Sequence, residues 1–420
     1  MLFRSVSDLT FIDCNGLAGF MSLGFIQNDI EMVLRTGTLN FGNVVAENNR
    51  HLLGNNWDSF FSEDPSDWPR VSADIVAGCP PCSGWSVWSS PSQRGVDSKA
   101  HEHTKAFMRY AGMVKPKAII FECVQQAYTS GRAVMLQYRD MVEEVSNKKY
   151  DLYHVKQNNL KLGGFSYRPR YFWIAVESGI KLRFPKSEPT ELPRIMDIIG
   201  DLAKLPKKWE KQEYIETPTK WVRNLISKDG KVDGHIGKTN IHARRVEEVF
   251  DIIGNKGWIG NADLGTSLKK AVEMNDGKMP DTWLDISERV WRKDFKLGYS
   301  QPYRWKEDHW CNVLTGAALS HTIHPTEPRL ITHREAARIQ GLPDDWNIEN
   351  SRDYSALEAT WGKAVPVQAA RWVSRGLKDS LYSNYQETDA EVIGDREYLV
   401  NDDDGFSRVG VKRKWYAGVK

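Results

Sequence analysis

The sequence predicts an α/β protein with an open sheet, interrupted by a second, smaller and irregular domain. Three observations predict it. Short apolar runs alternate with stretches of helical periodicity between about residues 10 and 176. The first apolar run leads into a glycine-containing turn and then a helix start, the usual opening of such folds. The alternation dissolves from about 186 to 314 and then returns. The domains are therefore expected at 1–185, 186–314, a return to the first domain at 315–378, and a polar C-terminal extension at 379–420.

The first strand ends near Asp13, and Gly16 and Gly19 follow in the turn. Glycines there let a ligand approach the backbone closely. The stretch Gly42 to Asn49 reads as a second strand that ends in an acid, Glu47. An acid at that place accepts hydrogen bonds from ribose hydroxyls, or it is simply a solvated strand end. Asp58 stands in the third such position, with Asp64 and Asp67 close by.

The run Asp74-Ile75-Val76-Ala77 reads as a buried strand, ended by Pro80 and Pro81. Cys82 is thereby presented in a rigid loop at a strand's carboxyl end, where chemistry collects in open α/β sheets. A thiolate there is a strong nucleophile, and a small buried side chain is the alternative. Cys79 and Cys82 also form a Cys-x-x-Cys pair, but Cys14, Cys123 and Cys311 are scattered singly. A structural zinc site needs four ligands, so no metal is expected.

Val87 to His103 is rich in Ser, Gly, Gln, His and charge, and reads as a mobile loop beside the chemistry, with His101 and His103 in solvent. A helix is expected over His103 to Val114, and a buried strand from Ala118 reaches Glu122 and Cys123. Glu122 is a candidate acid beside the Cys82 loop, or a surface charge. Strands follow at Tyr150 to Val155 and Tyr171 to Val176. Arg168 and Arg170 flank Pro169 at period-two spacing, which points both to one side.

The middle region carries basic and aromatic clusters such as Lys207-Lys208-Trp209 and Trp291-Arg292-Lys293. These suit a nucleic-acid face, or an ordinary small domain with solvated charges. Thr332 with Glu335 makes a capping box for a helix that Gly341 and Pro343 end. A last helix is expected over Gln368 to Arg375.

Composition sets bounds on function. The net charge is only +2, so the molecule as a whole is not a basic nucleic-acid binder, though a local basic face remains open. Five cysteines, with no signal-like or membrane-spanning apolar stretch, lead to the expectation of a reducing, cytoplasmic compartment in a bacterial or virus-infected cell, and of no membrane partner.

The ordered segments resemble the DNA cytosine carbon-5 methyltransferases. Pro81-Cys82 with Ser83-Gly84-Trp85-Ser86 is similar to the family's nucleophile motif. Glu122-Cys123-Val124 is similar to its Glu-Asn-Val strand, and Arg168-Pro169-Arg170 to its Arg-x-Arg motif. Arg329 to Pro343 matches its late helix, and Gly362 to Val365 its final Gly-Asn-Ser/Ala-Val motif.

The resemblance implies a Rossmann-like S-adenosylmethionine-dependent fold, with a target-recognition domain in the middle region. It implies an enzyme that works on a flipped cytosine of double-stranded DNA, expected as a monomer. Cys82 would add to cytosine carbon 6, Glu122 would bond ring nitrogen 3, Arg170 would reach the carbonyl oxygen and Arg168 would support the pocket. Asp13, Gly16, Gly19, Glu47, Asp58, Pro81, Lys363 and Ala364 would line the donor. An RNA-directed relative that modifies tRNA, and an inactive reader, are the other functional classes.

Three positions depart from the family. Asp13 stands one residue closer to Gly16, with Cys14-Asn15 in place of Leu-Phe. Cys123 replaces the family Asn, either as a core substitution or as a second nucleophile, since RNA cytosine methyltransferases use a cysteine on the corresponding strand. Lys363 replaces the Asn of the final motif. An ammonium roughly 5 Å from a donor sulfonium would repel it by about 3 kcal/mol at an effective dielectric near 20. A carboxylate on the transferred carbon would relieve that repulsion, which points to carboxy-S-adenosylmethionine as donor and 5-carboxymethylcytosine as product. Plain S-adenosylmethionine and 5-methylcytosine are the alternative.

Overall fold

The structure is a computed structural model that describes residues 9–86, 89, 91–185, 193–202, 303–305, 307–311, 313–314, 322–326, 331–348, 360–382 and 390–401. The basic-aromatic clusters of the middle region lie outside the described residues. The chain divides into two compact units, Met1–Thr190 with Ala364–Lys420, and Glu191–Lys363. The second unit thus extends beyond the expected 186–314 and takes in the capped helix after Ile331.

The strands are β1 (Leu9–Cys14), β2 (Ile30–Gly37), β3 (Asp58–Phe61), β4 (Ile75–Gly78), β5 (Ala118–Cys123), β6 (Tyr150–Asn158), β7 (Pro169–Glu177), β8 (Tyr303–Arg304), β9 (Thr322–Ile323), β10 (Glu391–Gly394) and β11 (Glu397–Asn401). The helices are α1 (Phe20–Ile26), α2 (Asn43–Glu47), α3 (Arg50–Leu53), α4 (His101–Val114), α5 (Gln126–Thr129), α6 (Arg132–Ser146), α7 (Ile195–Ile199), α8 (His333–Ile339) and α9 (Val367–Tyr382).

The first unit is built on one sheet in the order β10-β11-β6-β7-β5-β4-β1-β2-β3. β7 runs antiparallel to both β5 and β6, and β10 antiparallel to β11, while the other neighbours are parallel. Both faces are covered, so the inner strands are almost wholly apolar. Ile12, Val76, Ile119 and Phe121 join one core with Phe107, Ala111 and Tyr138 of α4 and α6. The alternate residue Phe11 packs on Phe25 of α1, ring centroids 4.9 Å apart, on the opposite face. There α1 meets α9: a Cβ on Gly24 would come within 2.6 Å of Ala370 Cβ.

Three sequence expectations are corrected. The second strand is Ile30–Gly37, not Gly42 to Asn49. That stretch is α2, opened by Gly42 at φ 76, with the adjacent Val45 and Ala46 both buried rather than alternating. His101 is not in solvent, and His103 is only partly so. His101 is buried, with Nε2 2.8 Å from the Gly95 carbonyl and its ring tilted against Trp85, centroids 4.5 Å apart. His103 Nδ1 lies 2.7 Å from Thr38 Oγ1. The polar extension is also more than a tail: β11 pairs with β6 and lengthens the sheet.

In the second unit the capping box of α8 forms as expected. Thr332 Oγ1 accepts from the Glu335 N–H at 3.2 Å, and Glu335 Oε2 accepts from the Thr332 N–H at 2.7 Å. Parallel β8 and β9 form its two-stranded sheet. No helix among the described residues is long and apolar enough to cross a membrane.

Candidate active site

The topology brings four segments to one edge of the sheet. β1, β4 and β5 are parallel neighbours, so their carboxyl ends lie together. β7 is antiparallel, so its beginning comes to the same edge, with Tyr171 opposite Cys123. Arg170 therefore arrives beside Glu122. β1 and β4 also flank the place where strand order reverses, the customary ligand crevice of open α/β sheets.

The Cys82 loop is held on both sides. At its start, Gly78 has no room for a side chain, since a Cβ there would lie 2.4 Å from the Cys14 carbonyl oxygen. That allows Cys79 N–H to donate to the same carbonyl at 3.2 Å. After it, the N–H groups of Trp85 and Ser86 both donate to the Cys82 carbonyl, at 3.0 and 3.1 Å. Trp85 is buried and anchors the turn. Cys82 itself is half-buried, which leaves its sulfur within reach of a ligand.

Glu122 is buried and forms an ion pair with Arg170 Nε. Its other oxygen, Oε2, accepts from Cys79 Sγ at 3.4 Å. Arg168 is fully buried and donates from Nη2 to the Ala364 carbonyl at 2.9 Å. Burial is the main reason its guanidinium is pulled down to about 9, and Arg170 adds to the effect. Cys82, Glu122, Arg168 and Arg170 are thus brought together, as the period-two spacing and strand-end positions predicted.

The thiols divide sharply. Cys82 is held below the ordinary thiol value, first by the neighbouring Cys123 thiol. Arg170 and Arg168 act in the same direction, against burial and Glu122. Burial first, and then the neighbouring Cys82, holds Cys123 well above the ordinary value. Cys79 is also pushed up, by burial and then by Glu122. Of the three, Cys82 is the one prepared to react as thiolate. No group of three or more metal-ligating side chains occurs among the described residues.

The donor-side candidates are placed differently from one another. The Asp13 carboxylate is buried, accepts from Ser22 Oγ at 2.6 Å and pairs with Arg35 Nε at 3.1 Å. It also sits directly over Gly16, where a Cβ would lie 1.8 Å from Oδ1. Gly19 begins α1 at φ 88, a conformation glycine adopts freely. Pro81 is half-buried beside Cys82. Ala364 is buried against Arg168, and Lys363 before it is exposed.

Glu47 lies in α2, paired with Arg50 at 2.6 Å and accepting from Ser59 Oγ at 3.1 Å. The strand-end reasoning that singled it out therefore falls. Asp58 is exposed and begins β3 rather than ending it. Asp64 instead accepts from the Ser66 N–H, and Asp67 from Ser62 Oγ.

Sequence reasoning missed three residues at this edge. Asn15 Nδ2, Thr36 Oγ1 and Asn43 Oδ1 are buried without a hydrogen-bond partner. Asn15 sits in the left-handed region at φ 54, directly after β1, and its N–H donates to the Thr36 carbonyl. An asparagine immediately after the first strand was the available signal, because Asn tolerates that conformation. Buried polar atoms are normally paired, so these three fit a polar nucleoside such as the adenosyl part of an S-adenosylmethionine-type donor. Asn15, Thr36 and Asn43 would hold it, with Gly16 and Gly37 keeping the backbone bare. Gly16→Ala is expected to push Asp13 off Arg35 and to destabilise the unit by about 1–3 kcal/mol. Urea unfolding checks this.

The chain matches the family model described as C-5 cytosine-specific DNA methylase over residues 9–379. It is 24% identical over 389 residues to the type II methyltransferase M.DdeI of Desulfomicrobium norvegicum, covering 86% of this chain and 85% of the relative. It is 23% identical over 351 residues to DNA (cytosine-5)-methyltransferase 2 of Arabidopsis thaliana, covering 74% of this chain but only 22% of that longer protein. Among solved structures, a provisionally named DNA modification methyltransferase encoded within an Escherichia coli prophage superposes with a TM-score of 0.53. That match has 18% identity and covers 90% of this chain and 100% of the other, a likeness of fold. With the family model spanning most of its length, the chain belongs to the C-5 cytosine-specific DNA methylases.

Proposed function

We propose that this protein transfers a methyl or carboxymethyl group to carbon 5 of a cytosine flipped out of duplex DNA. The observation that supports it best is the meeting of Cys82, Glu122, Arg168 and Arg170 at one sheet edge. Carbon 5 of cytosine is a poor nucleophile. Addition of the Cys82 thiolate to carbon 6 makes it enamine-like. Glu122 would bond ring nitrogen 3 through a shared proton and so favour the addition. Arg170 turns to the carbonyl oxygen, and Arg168 holds the pocket through the Ala364 carbonyl. The donor supplies a carbon made electrophilic by an adjacent sulfonium. Loss of the carbon-5 proton to a base then expels Cys82. The base must leave the helix because the ring faces are covered in a duplex.

The donor we propose is carboxy-S-adenosylmethionine. Lys363 supports this reading: it is exposed, it stands where the family carries Asn, and its neighbour Ala364 is fastened to Arg168. An ammonium beside the transferred carbon favours a carboxylate on it and disfavours a bare sulfonium. The test is an equal mixture of the two donors with cytosine-containing duplex DNA, followed by nucleoside digestion and mass spectrometry. Mainly 5-carboxymethylcytosine is expected. Mainly 5-methylcytosine would make plain S-adenosylmethionine the donor, and modification of tRNA alone would overturn the DNA reading. Lys363→Asn is expected to shift the product ratio towards 5-methylcytosine by about tenfold or more. An unchanged ratio would remove Lys363 from the argument.

A further inference from the structure

We infer that Gln157 is a positioning residue of the base pocket: its carboxamide oxygen takes the Arg170 guanidinium when a flipped cytosine engages Glu122, and so holds Arg170 at the cytosine carbonyl. The inference deepens the proposed reaction and rests on that reading.

The sheet sets these side chains in a row. β5 and β6 both run antiparallel to β7, so the carboxyl end of β6 reaches the same edge as Glu122. Gln157 stands directly opposite Arg170 in the β6–β7 register, and Glu122 stands directly opposite Phe172 in the β5–β7 register. Residues opposite each other in an antiparallel pair share a face, and so do residues two apart on one strand. Glu122, Arg170 and Gln157 therefore lie on one face, in the strand order β5, β7, β6. The alternate residues Cys123 and Tyr171 pack into the core on the other face. Directly opposed Cβ atoms stand about 5 Å apart, well within the span of a glutamine and an arginine side chain.

Gln157 is 0% exposed, and neither its oxygen nor its nitrogen has a hydrogen-bond partner. A buried carboxamide left in that state costs stability, which an apolar side chain of the same length would avoid. Arg170 is the neighbour that can complete it. In the free protein this guanidinium pairs through Nε with Glu122 Oε1, yet that oxygen is itself buried without a hydrogen-bond partner, so the contact is an ion pair only. Arg170 Nη1 donates to the Pro169 carbonyl at 2.8 Å. Both flanks of Arg170 thus carry an unused acceptor. Engagement of Glu122 by ring nitrogen 3 weakens its hold on Arg170, and Gln157 is the next acceptor along the row. Arg168 cannot stand in, because it is a second cation and its Nη2 donates to the Ala364 carbonyl.

The test compares the parent chain, Gln157→Met, Arg170→Ala and the double variant in single-turnover transfer to duplex DNA. Gln157→Met is expected to lower the rate by about tenfold to a hundredfold, the worth of one hydrogen bond to a charged group. In the Arg170→Ala background the same substitution is expected to change the rate by less than about twofold, since Gln157 acts through that guanidinium.

Urea unfolding without DNA or donor separates this from a structural role. The midpoint for Gln157→Met is expected at or above that of the parent, because an unsatisfied amide is removed. Gln157→Leu, of a different shape, is expected to give the same pattern. An unchanged rate in Gln157→Met, equal losses in both backgrounds, or a lowered urea midpoint in both variants would each overturn the inference. A parent that modifies no DNA fails the proposed reaction and the inference with it, whereas an active parent with any of those three results fails the inference alone.

Discussion

Cys82→Ser is expected to lower transfer to cytosine by about ten-thousand-fold or more, with the fold intact. A serine hydroxyl is almost never ionised near neutral pH, so addition to carbon 6 is lost. Without that addition carbon 5 stays unreactive. The substitution is nearly isosteric, and the residue is half-buried at a loop rather than within the sheet. Its effect on stability should stay within about 1 kcal/mol, where most substitutions away from packed or networked sites fall. Product formation on duplex DNA and a urea melt together check it. Activity within tenfold of the parent would remove Cys82 from the chemistry.

Glu397→Ala is expected to destabilise the first unit by about 3 kcal/mol. The side chain is 4% exposed and accepts from Arg132 at 2.7 Å and from His154 Nε2 at 2.7 Å. His154 Nδ1 in turn takes the Tyr171 hydroxyl at 2.6 Å, next to Arg170. Removal leaves a buried imidazole without its acceptor and a guanidinium without its partner. The figure sits at the low end of that range because Arg132 is 43% exposed. Chemical unfolding of the variant checks it. Glu397→Gln, which can still accept, should lose less.

The same network sets an acid limit, and the signs agree. Burial lowers His154 from 6.5 to about 4, so the unfolded chain takes up its proton first as pH falls. Burial opposes the Glu143 charge, but Arg396, the Tyr150 N–H and Lys149 overcome it and hold the carboxyl at about 2 rather than 4.5. Glu397 is lowered too, by Arg132 first. Each group stabilises the fold above its unfolded value and loses that contribution below it. Stability should therefore decline from about pH 6.5 downwards, with a further loss from 4.5 towards 2. In Glu397→Ala the Glu397 share of the loss below its ordinary value should disappear while the His154 share persists, because Glu397 raises that imidazole against burial, as unfolding midpoints across pH will show.

How legible the sequence was depended on the signal each element carried. Strands β4, β5 and β7 are largely apolar on both faces and bounded by proline or charge, so their ends could be read directly. Cys82, Glu122 and Arg170 inherit their positions from those ends. β2 was missed because Ile30 to Gly37 carries Glu31 and Arg35 within it, and Arg35 looks like surface until its buried partner Asp13 is known. The apolar triplet Val44-Val45-Ala46 then drew the strand assignment to α2. β11 was hidden for a similar reason. Its anchors are Arg396 and Glu397, whose partners lie some 240 to 265 residues away in sequence. Asn15 is set against Thr36 only through β1–β2 pairing, which no local pattern reveals.

The central claim is a covalent adduct between Cys82 and cytosine carbon 6. Duplex DNA containing 5-fluorocytosine tests it most directly, incubated with enzyme and donor, because fluorine at carbon 5 cannot leave as a proton does. The expected result is a denaturation-resistant protein–DNA species whose cross-linked peptide carries the modified base on Cys82. A cross-link mapped to Cys123, or transfer to normal cytosine with no trapped species on the fluorinated duplex, would contradict the account.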